Sequence, residues 1–210
     1  MDRVRIEQMV LHHPALFSEI YQERYVNNIY FDYPGFNNLL ENMAGNTNRI
    51  KARIRWYGEL FTSVNKPVLE LKLKRGLVGY KQSFPLLKFK LSEGIHASEI
   101  KDVIRNSELD PKIKTTLRDQ LPVMINRYRR KYFESHDRRF RITIDEEQCF
   151  YKLHTFQNSF LQFYKDQNNV IIELKYDEQY EPDAAQIVNK LPFRISKSSK
   201  YARGVELLYG

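Results

Sequence analysis

Within residues 48–57, Asn48-Arg49-Ile50-Lys51-Ala52-Arg53-Ile54-Arg55-Trp56-Tyr57, charged and apolar side chains alternate strictly from Arg49 to Trp56. A period of two belongs to a β-strand, in which residues two apart share a face and lie about 7 Å from one another. Arg49, Lys51, Arg53 and Arg55 therefore occupy one face, and Ile50, Ala52, Ile54 and Trp56 the other. The run from Pro67 to Lys74 repeats the design, with Glu70, Lys72 and Lys74 opposed to Leu69, Leu71 and Leu73. A polar connection around Thr62 to Asn65 makes the two runs an antiparallel hairpin. Further on, Arg139, Arg141, Thr143 and Asp145 alternate with Phe140, Ile142 and Ile144, and Glu173 and Lys175 alternate with Ile172 and Leu174. Four strands with one apolar and one charged face predict a mainly antiparallel sheet of the α+β class, with helices at its periphery.

Working outward, Arg3 to Leu11 reads as a short amphipathic helix with Ile6, Met9 and Val10 on one side, stopped before Pro14. Tyr25 to Asp32 has strand composition, and Pro34 opens a helix through Leu39, Leu40 and Met43 that Gly45 can cap. Val78 to Phe84 is a further strand. From His96 to Leu121 the period turns helical through Ile100, Val103 and Ile104, and Pro111 starts a second short helix. Strands resume at Met124 to Phe133, Arg139 to Ile144, Cys149 to Leu153 and Val170 to Tyr176. Glu181-Pro182 opens another helix through Ala184, Ile187 and Val188, and Ser198 or Ser199 caps a last helical turn into Leu207 and Leu208. With no internal repeat and no Gly- and Pro-rich linker, residues 1–210 are expected to form one domain.

The 34 Lys and Arg against 26 Asp and Glu give a net charge of +8, which favours phosphate-rich ligands, nucleic acid or acidic membranes. Cys149 is the single cysteine, so disulfides and a Cys-rich zinc site are excluded. No apolar run approaches a membrane span, and Met-Asp-Arg-Val-Arg-Ile-Glu has no apolar signal region, which together predict a cytoplasmic protein. His12 and His13 have no other His or Cys at ligand spacing and are expected at the surface or at a cap. Trp56, Phe140 and Tyr30 alternate away from the basic positions, which places them in the core and disfavours base stacking on nucleic acid. Ser135-His136-Asp137 lies in a turn, and three adjacent residues do not make a catalytic triad. Gly76 and Gly79 lack the spacing and the Lys-Ser/Thr end of a Walker phosphate loop.

The basic faces are either ordinary solvent faces or the lining of an anion site. Like charges opposite one another across strands are destabilising, and an anion would offset their repulsion. In a sheet closed into a barrel or tunnel these faces would point inward, where Arg grips phosphoryl oxygens in bidentate fashion. A carboxylate among such cations is a poor phosphate ligand but a good ligand for magnesium or manganese. Glu173 is the expected metal ligand, with Glu70 as its partner.

Several segments in consistent order resemble the VTC (vacuolar transporter chaperone) polyphosphate polymerase domain, a branch of the triphosphate tunnel metalloenzymes. They include Tyr30-Phe31-Asp32, Lys51-Ala52-Arg53-Ile54-Arg55-Trp56-Tyr57-Gly58, Leu69-Glu70-Leu71-Lys72, Tyr128-Arg129-Arg130, Arg141-Ile142-Thr143-Ile144-Asp145, Glu173-Leu174-Lys175 and Lys197-Ser198-Ser199-Lys200-Tyr201. The resemblance implies an antiparallel β tunnel in which the γ-phosphoryl group of ATP is transferred to a polyphosphate chain with a divalent metal, manganese or magnesium. It assigns Arg53, Arg55 and Lys72 to the triphosphate or polyphosphate, Lys81 to an extension of that surface, and Arg130 and Arg141 to the opposite wall. Glu173 matches the family's metal-binding glutamate, and Lys197 and Lys200 match its terminal phosphate-binding lysines. From the strand alternation Lys51, Lys74 and Lys175 join the phosphate-binding set. Family members place a first strand ahead of the opening helix, and this chain starts inside that helix, so the first strand is expected to be lacking; a protein partner stays unidentified. Two further functions fit the same residues: a triphosphatase or polyphosphatase of the same fold, and a non-catalytic polyphosphate- or nucleic-acid-binding module.

Overall fold

The computed structural model describes residues 3–44, 49–75, 78–167 and 169–210, with the backbone alone at residues 42, 49, 74, 75, 78 and 79. Its strands are β1 (Ser18–Asp32), β2 (Arg49–Tyr57), β3 (Ser63–Val64), β4 (Val68–Arg75), β5 (Val78–Pro85), β6 (Phe89–Lys90), β7 (Leu121–Glu134), β8 (Phe140–Lys152), β9 (Phe163–Asp166) and β10 (Ile171–Tyr176). Its α-helices are α1 (Arg3–Leu11), α2 (Asn37–Met43), α3 (Ala97–Asn106), α4 (Pro111–Leu117), α5 (Glu181–Asn189) and α6 (Lys200–Tyr209). Among the described residues eight strands form one sheet in the order β10-β8-β7-β1-β2-β4-β5, with β9 beside β8, and β3 pairs β6 separately. The ladders β1–β2, β2–β4, β4–β5 and β8–β10 are antiparallel, and because the pairing path ends at β10 and at β5 the sheet is not closed into a barrel among the described residues.

The chain divides into two compact units, one of residues 1–25, 128–148 and 166–198, the other of residues 26–127, 149–165 and 199–210. In the first unit β10 pairs β8 so that Ile172 faces Ile144, Leu174 faces Ile142 and Tyr176 faces Phe140. This apolar face is covered by Ile6 and Val10 of α1 and by Ala184 and Ile187 of α5. Burying each of the larger aliphatic side chains is worth about 1.5–3 kcal/mol, which explains why two short helices stay docked. An ion network also ties α1 down: Arg3 meets Glu7, Glu23 and Glu146 at 2.6–2.9 Å, and Lys131 meets Glu7 at 2.8 Å. Burial, with Glu23 nearby, raises the Glu146 carboxyl above its ordinary range despite Arg129 and Arg3.

The second unit builds its core from Ile29, Phe31, Ala52, Ile54, Trp56, Leu69 and Leu71 of β1, β2 and β4, covered by Ile100 and Ile104 of α3 and Leu117 of α4. Each helix starts as its sequence directs. His96 N donates to Glu99 at 2.8 Å ahead of α3, and Asp110 accepts from Lys112 N at 2.7 Å ahead of α4, whose first residue is Pro111. On the opposite sheet face Tyr201, Val205 and Leu208 of α6 pack on Tyr30, Met124 and Phe150. Ser199 caps α6 by accepting from Ala202 N at 3.3 Å.

Three sequence expectations change. The strands expected at Arg139–Ile144 and Cys149–Leu153 are one strand, β8, and β1 starts at Ser18 rather than at Tyr25. Within β8, Glu147 takes a φ of 51°, left-handed for a residue with a side chain, and Asp145 and Glu146 are buried in succession. Such a bulge breaks the period of two, which is why the pattern reads as interrupted. His13 is buried rather than superficial: its Nδ1 accepts from Ala15 N at 3.0 Å, so Nε2 carries the proton that reaches Ile187 O at 3.0 Å. Exposed His12 fits the expectation, with Nδ1 2.8 Å from Gln8 O. The proposed cap Gly45 lies outside the described residues. No helix among the described residues is long and apolar enough to cross a membrane.

Candidate functional site

In the second unit, strand register decides which charges meet. Tyr30 of β1 lies opposite Arg53 of β2, which lies opposite Glu70 of β4, which lies opposite Ser83 of β5. Directly opposed residues share a face. Glu70 sits at the centre, 7% exposed. Its Oε2 accepts from Arg53 Nε at 2.7 Å and Nη2 at 2.6 Å, while its Oε1 lies 2.6 Å from Lys81 Nζ and 3.6 Å from Arg55 Nη1. Burial alone would raise the Glu70 carboxyl, but the charges of Arg53 and Arg55 and the bonds from Lys81 and Arg53 prevail and hold it down at about 2. The guanidinium groups are themselves braced, Arg53 donating to Tyr30 OH at 3.2 Å and Arg55 to Asn28 Oδ1 at 3.0 Å.

One level along the same face, Lys51 lies opposite Lys72 and Lys72 opposite Lys81. Three ammonium-bearing positions thus run straight across β2, β4 and β5. Lys72 is exposed and makes no ion pair among the described residues. The side chains of Arg49 and Lys74, at the next level, lie outside the described part.

The face is closed at one side by a hub around Asp32, which is fully buried. Its carboxylate accepts from Tyr33 N at 2.7 Å, Asn38 N at 2.8 Å and Leu39 N at 3.1 Å, and from the Tyr201 hydroxyl. Burial, then the bond to Asp32, raises the Tyr201 hydroxyl far above its ordinary value, so it stays a donor. Tyr201 also stacks on Tyr30 at 5.3 Å, which links α6 to the residue that braces Arg53. α6 comes this close because Gly204 has no side chain: a Cβ there would meet Met124 Sδ and Phe150 Cδ1 at 2.6 Å. Lys200 is the first residue of α6.

In the first unit the register places Ile171 opposite Asp145, Glu173 opposite Thr143 and Lys175 opposite Arg141. Arg130 is the buried cation here, 6% exposed, bound to Asp145 through Nε at 2.5 Å and Nη2 at 2.7 Å. Burial by itself would lower the Arg130 guanidinium, yet the bonds to Asp145 raise it further above its already high value. Tyr128 and Tyr132 lie beneath it at 5.1 and 5.8 Å. Glu173 is half exposed, 3.5 Å from Lys175 and 3.8 Å from Arg130. Arg141 points to solvent and binds Glu134 at 2.8 Å, a bond that raises its guanidinium. Lys197 is exposed in the extended stretch before α6.

Of the residues expected from the sequence, Arg53, Arg55, Glu70 and Lys81 are brought into one cluster, Lys51 and Lys72 into the adjoining row, and Arg130, Glu173 and Lys175 into another group. Glu70 and Glu173 belong to different units, so the expected carboxylate pair is not found within either one. Glu70 has both oxygens committed to cations and does not fit a metal ion. Among the described residues no group of three or more His, Cys, Asp or Glu is suited to hold one. Glu173 offers a single accessible carboxylate, a donor type that suits a hard cation. Sequence reasoning missed Asp32, Tyr201 and the Arg130–Asp145 pair as structural partners. Asp145 shares the parity of Arg141 and Thr143, but nothing local shows which arginine it meets.

A model of the VTC domain matches residues 4–209. The chain belongs to the VTC domain family. The resemblance drawn from the strand motifs is thus the family found. No curated protein matches this VTC domain. Among solved structures, the protein PH1819 of Pyrococcus horikoshii OT3 aligns over 98% of this chain and 92% of its own, at 12% identity and a TM-score of 0.48. The Hippeastrum protein HpAC1, a proposed adenylyl cyclase with a dominant triphosphatase activity, aligns over 98% and 92% at 13% identity and a TM-score of 0.51. The second likeness shows a shared fold.

Proposed function

We propose that this VTC domain is a polyphosphate polymerase that transfers the γ-phosphoryl group of ATP to a polyphosphate chain. The observation that carries the reading is the row Lys51, Lys72 and Lys81, three like charges directly opposed on adjacent strands. Glu70 offsets Lys81 at 2.6 Å, but exposed Lys72 makes no ion pair among the described residues, and a linear phosphate anhydride, with a charge on nearly every repeat, would balance the row along its length. Phosphoryl transfer asks a protein chiefly to align donor and acceptor and to neutralise charge. A terminal phosphate oxygen of the acceptor forms the new P–O bond, the bond between the β,γ-bridging oxygen and the γ-phosphorus breaks, and ADP leaves with the electron pair. Arg53, Arg55 and Lys81 balance the charge that develops. Glu70 acts as their counterion in the absence of phosphate and fixes their geometry.

Arg130, Arg141, Lys175, Lys197 and Lys200 are assigned as further phosphate-binding residues, and Lys74 with them. Glu173 is assigned as the ligand of a manganese or magnesium ion, which when bound would supply neutralising charge. We take residues 1–210 as one functional domain. A second reading, hydrolysis of triphosphate, draws on the fold shared with HpAC1 and its dominant triphosphatase activity.

The test is to incubate the full chain with ATP, manganese and a short polyphosphate primer, beside Lys72→Ala and Glu173→Ala, and to resolve products by chain length. Long chains from the wild type, with Lys72→Ala impaired about tenfold or more and its melting temperature unchanged, support the polymerase. ADP and free phosphate without chains select the hydrolase. Absence of nucleotide turnover, with salt-sensitive binding of polyphosphate, leaves a binding module and overturns both enzymatic readings.

A further inference from the structure

A separate cleft lies between α3 and α4 of the second unit and encloses about 280 Å3. Its floor is Phe31, Ile104 and Leu117, exposed by 2%, 6% and 3%. Four cations form its rim, Lys101 and Arg105 from α3, Lys114 from α4 and Arg118 just beyond it, and among the described residues no carboxylate lines it. None of these residues belongs to the basic strand faces described above.

The two lysines are held in place. Lys101 Nζ donates to Arg118 O at 2.8 Å, and Lys114 Nζ donates to Arg105 O at 2.8 Å, so each helix caps the C-terminal end of the other. An ammonium group has three N–H donors, and one spent on a carbonyl leaves two. A ligand meets them without the entropic cost of ordering two long side chains. Arg118 is exposed and makes no ion pair among the described residues. Arg105 is shared with Asp102 at 2.8 Å, and its side chain is 70% exposed.

Charges this exposed hold a small inorganic anion weakly, because water and salt screen them. An apolar floor changes the balance for a ligand that also covers it. We propose that this cleft binds a small amphipathic anion, a phosphate or carboxylate head on a compact apolar body such as an aryl group. The volume lies just below the ~300–1,000 Å3 of pockets for drug-sized molecules, which fixes the size class at a single ring with its head group. The head lies at Lys101, Lys114 and Arg118, and the ring lies on Phe31, Ile104 and Leu117.

The inference is tested on the full chain by following backbone amide shifts during titration with phenyl phosphate, phenylacetate, inorganic phosphate and benzyl alcohol. Saturable shifts on α3 and α4 with phenyl phosphate or phenylacetate are expected, and the stronger of the two identifies the head group. Inorganic phosphate and benzyl alcohol are each expected to bind about tenfold more weakly. Arg118→Glu is expected to weaken phenyl phosphate by about tenfold with the melting temperature unchanged; if that variant fails to fold, Arg105→Gln serves in its place. Inorganic phosphate binding as tightly as phenyl phosphate, shifts confined to β2, β4 and β5, equal affinity in the variant, or no saturation below about 10 mM would each overturn the site. None of these outcomes depends on whether the domain makes or hydrolyses polyphosphate.

Discussion

Glu70→Gln removes one negative charge from the centre of the basic face while keeping its shape. The folded carboxyl sits at about 2, against an ordinary value of 4.5. At 1.36 kcal/mol per pH unit, and with a discount for half-exposed Lys81, the group contributes about 3 kcal/mol of stability near neutrality. Because the folded value is depressed, that contribution is complete above pH 4.5 and disappears as pH falls through 2. Urea unfolding of wild type and Glu70→Gln at pH steps from 7 to 2 is therefore expected to give converging stabilities, with the difference closing between about pH 4.5 and pH 2. The variant also leaves Arg53, Arg55 and Lys81 without their shared carboxylate, so tripolyphosphate at neutral pH should raise its melting temperature more than that of the wild type. Two stability curves that run parallel across the whole acid range would refute the linkage, and equal stabilisation of both proteins by tripolyphosphate would refute Glu70 as the counterion of a phosphate site.

Gly204→Ala should cost about 1–3 kcal/mol and release α6, because the new Cβ meets Met124 and Phe150 well inside contact distance; hydrogen exchange of the α6 amides reports the undocking. Tyr201→Phe takes one of four donors from buried Asp32 and is expected to destabilise by about 1–3 kcal/mol in urea unfolding, with the melting temperature falling accordingly.

The strands that carry Arg53, Lys72, Arg141 and Glu173 were legible because each alternates charge with an apolar side chain, and the alternation shows which face of each is buried. β8 was read as two strands because one left-handed residue, Glu147, shifts the parity midway. β9 was invisible: Phe163-Tyr164-Lys165-Asp166 is too short for a period to register, and three of its four side chains are exposed. Within the site, the cluster of Arg53 with Glu70 was foreshadowed by shared parity, but its meaning was not. Alternation shows that a carboxylate and a guanidinium share a face; whether they sit opposite each other depends on a register that can shift by two residues without changing faces. That register turns Glu70 from an expected metal ligand into a counterion. Asp32 could not be assigned at all, since its partners come from α2 directly after it and from a tyrosine 169 residues away.

That separation has a consequence for how the protein is made. Asp32 and Tyr30 leave the ribosome well before Tyr201, which carries the hydroxyl and the ring that complete their surroundings. At 5–20 residues per second the intervening 169 residues take roughly 10–30 s to synthesise. During that interval the carboxylate lacks one of its donors, and from Phe150 onward the apolar patch of Tyr30, Met124 and Phe150 has no α6 to cover it. The second unit is thus completed only once α6 has emerged, and until then its nascent chain offers an aromatic and acidic surface on which chaperones would act.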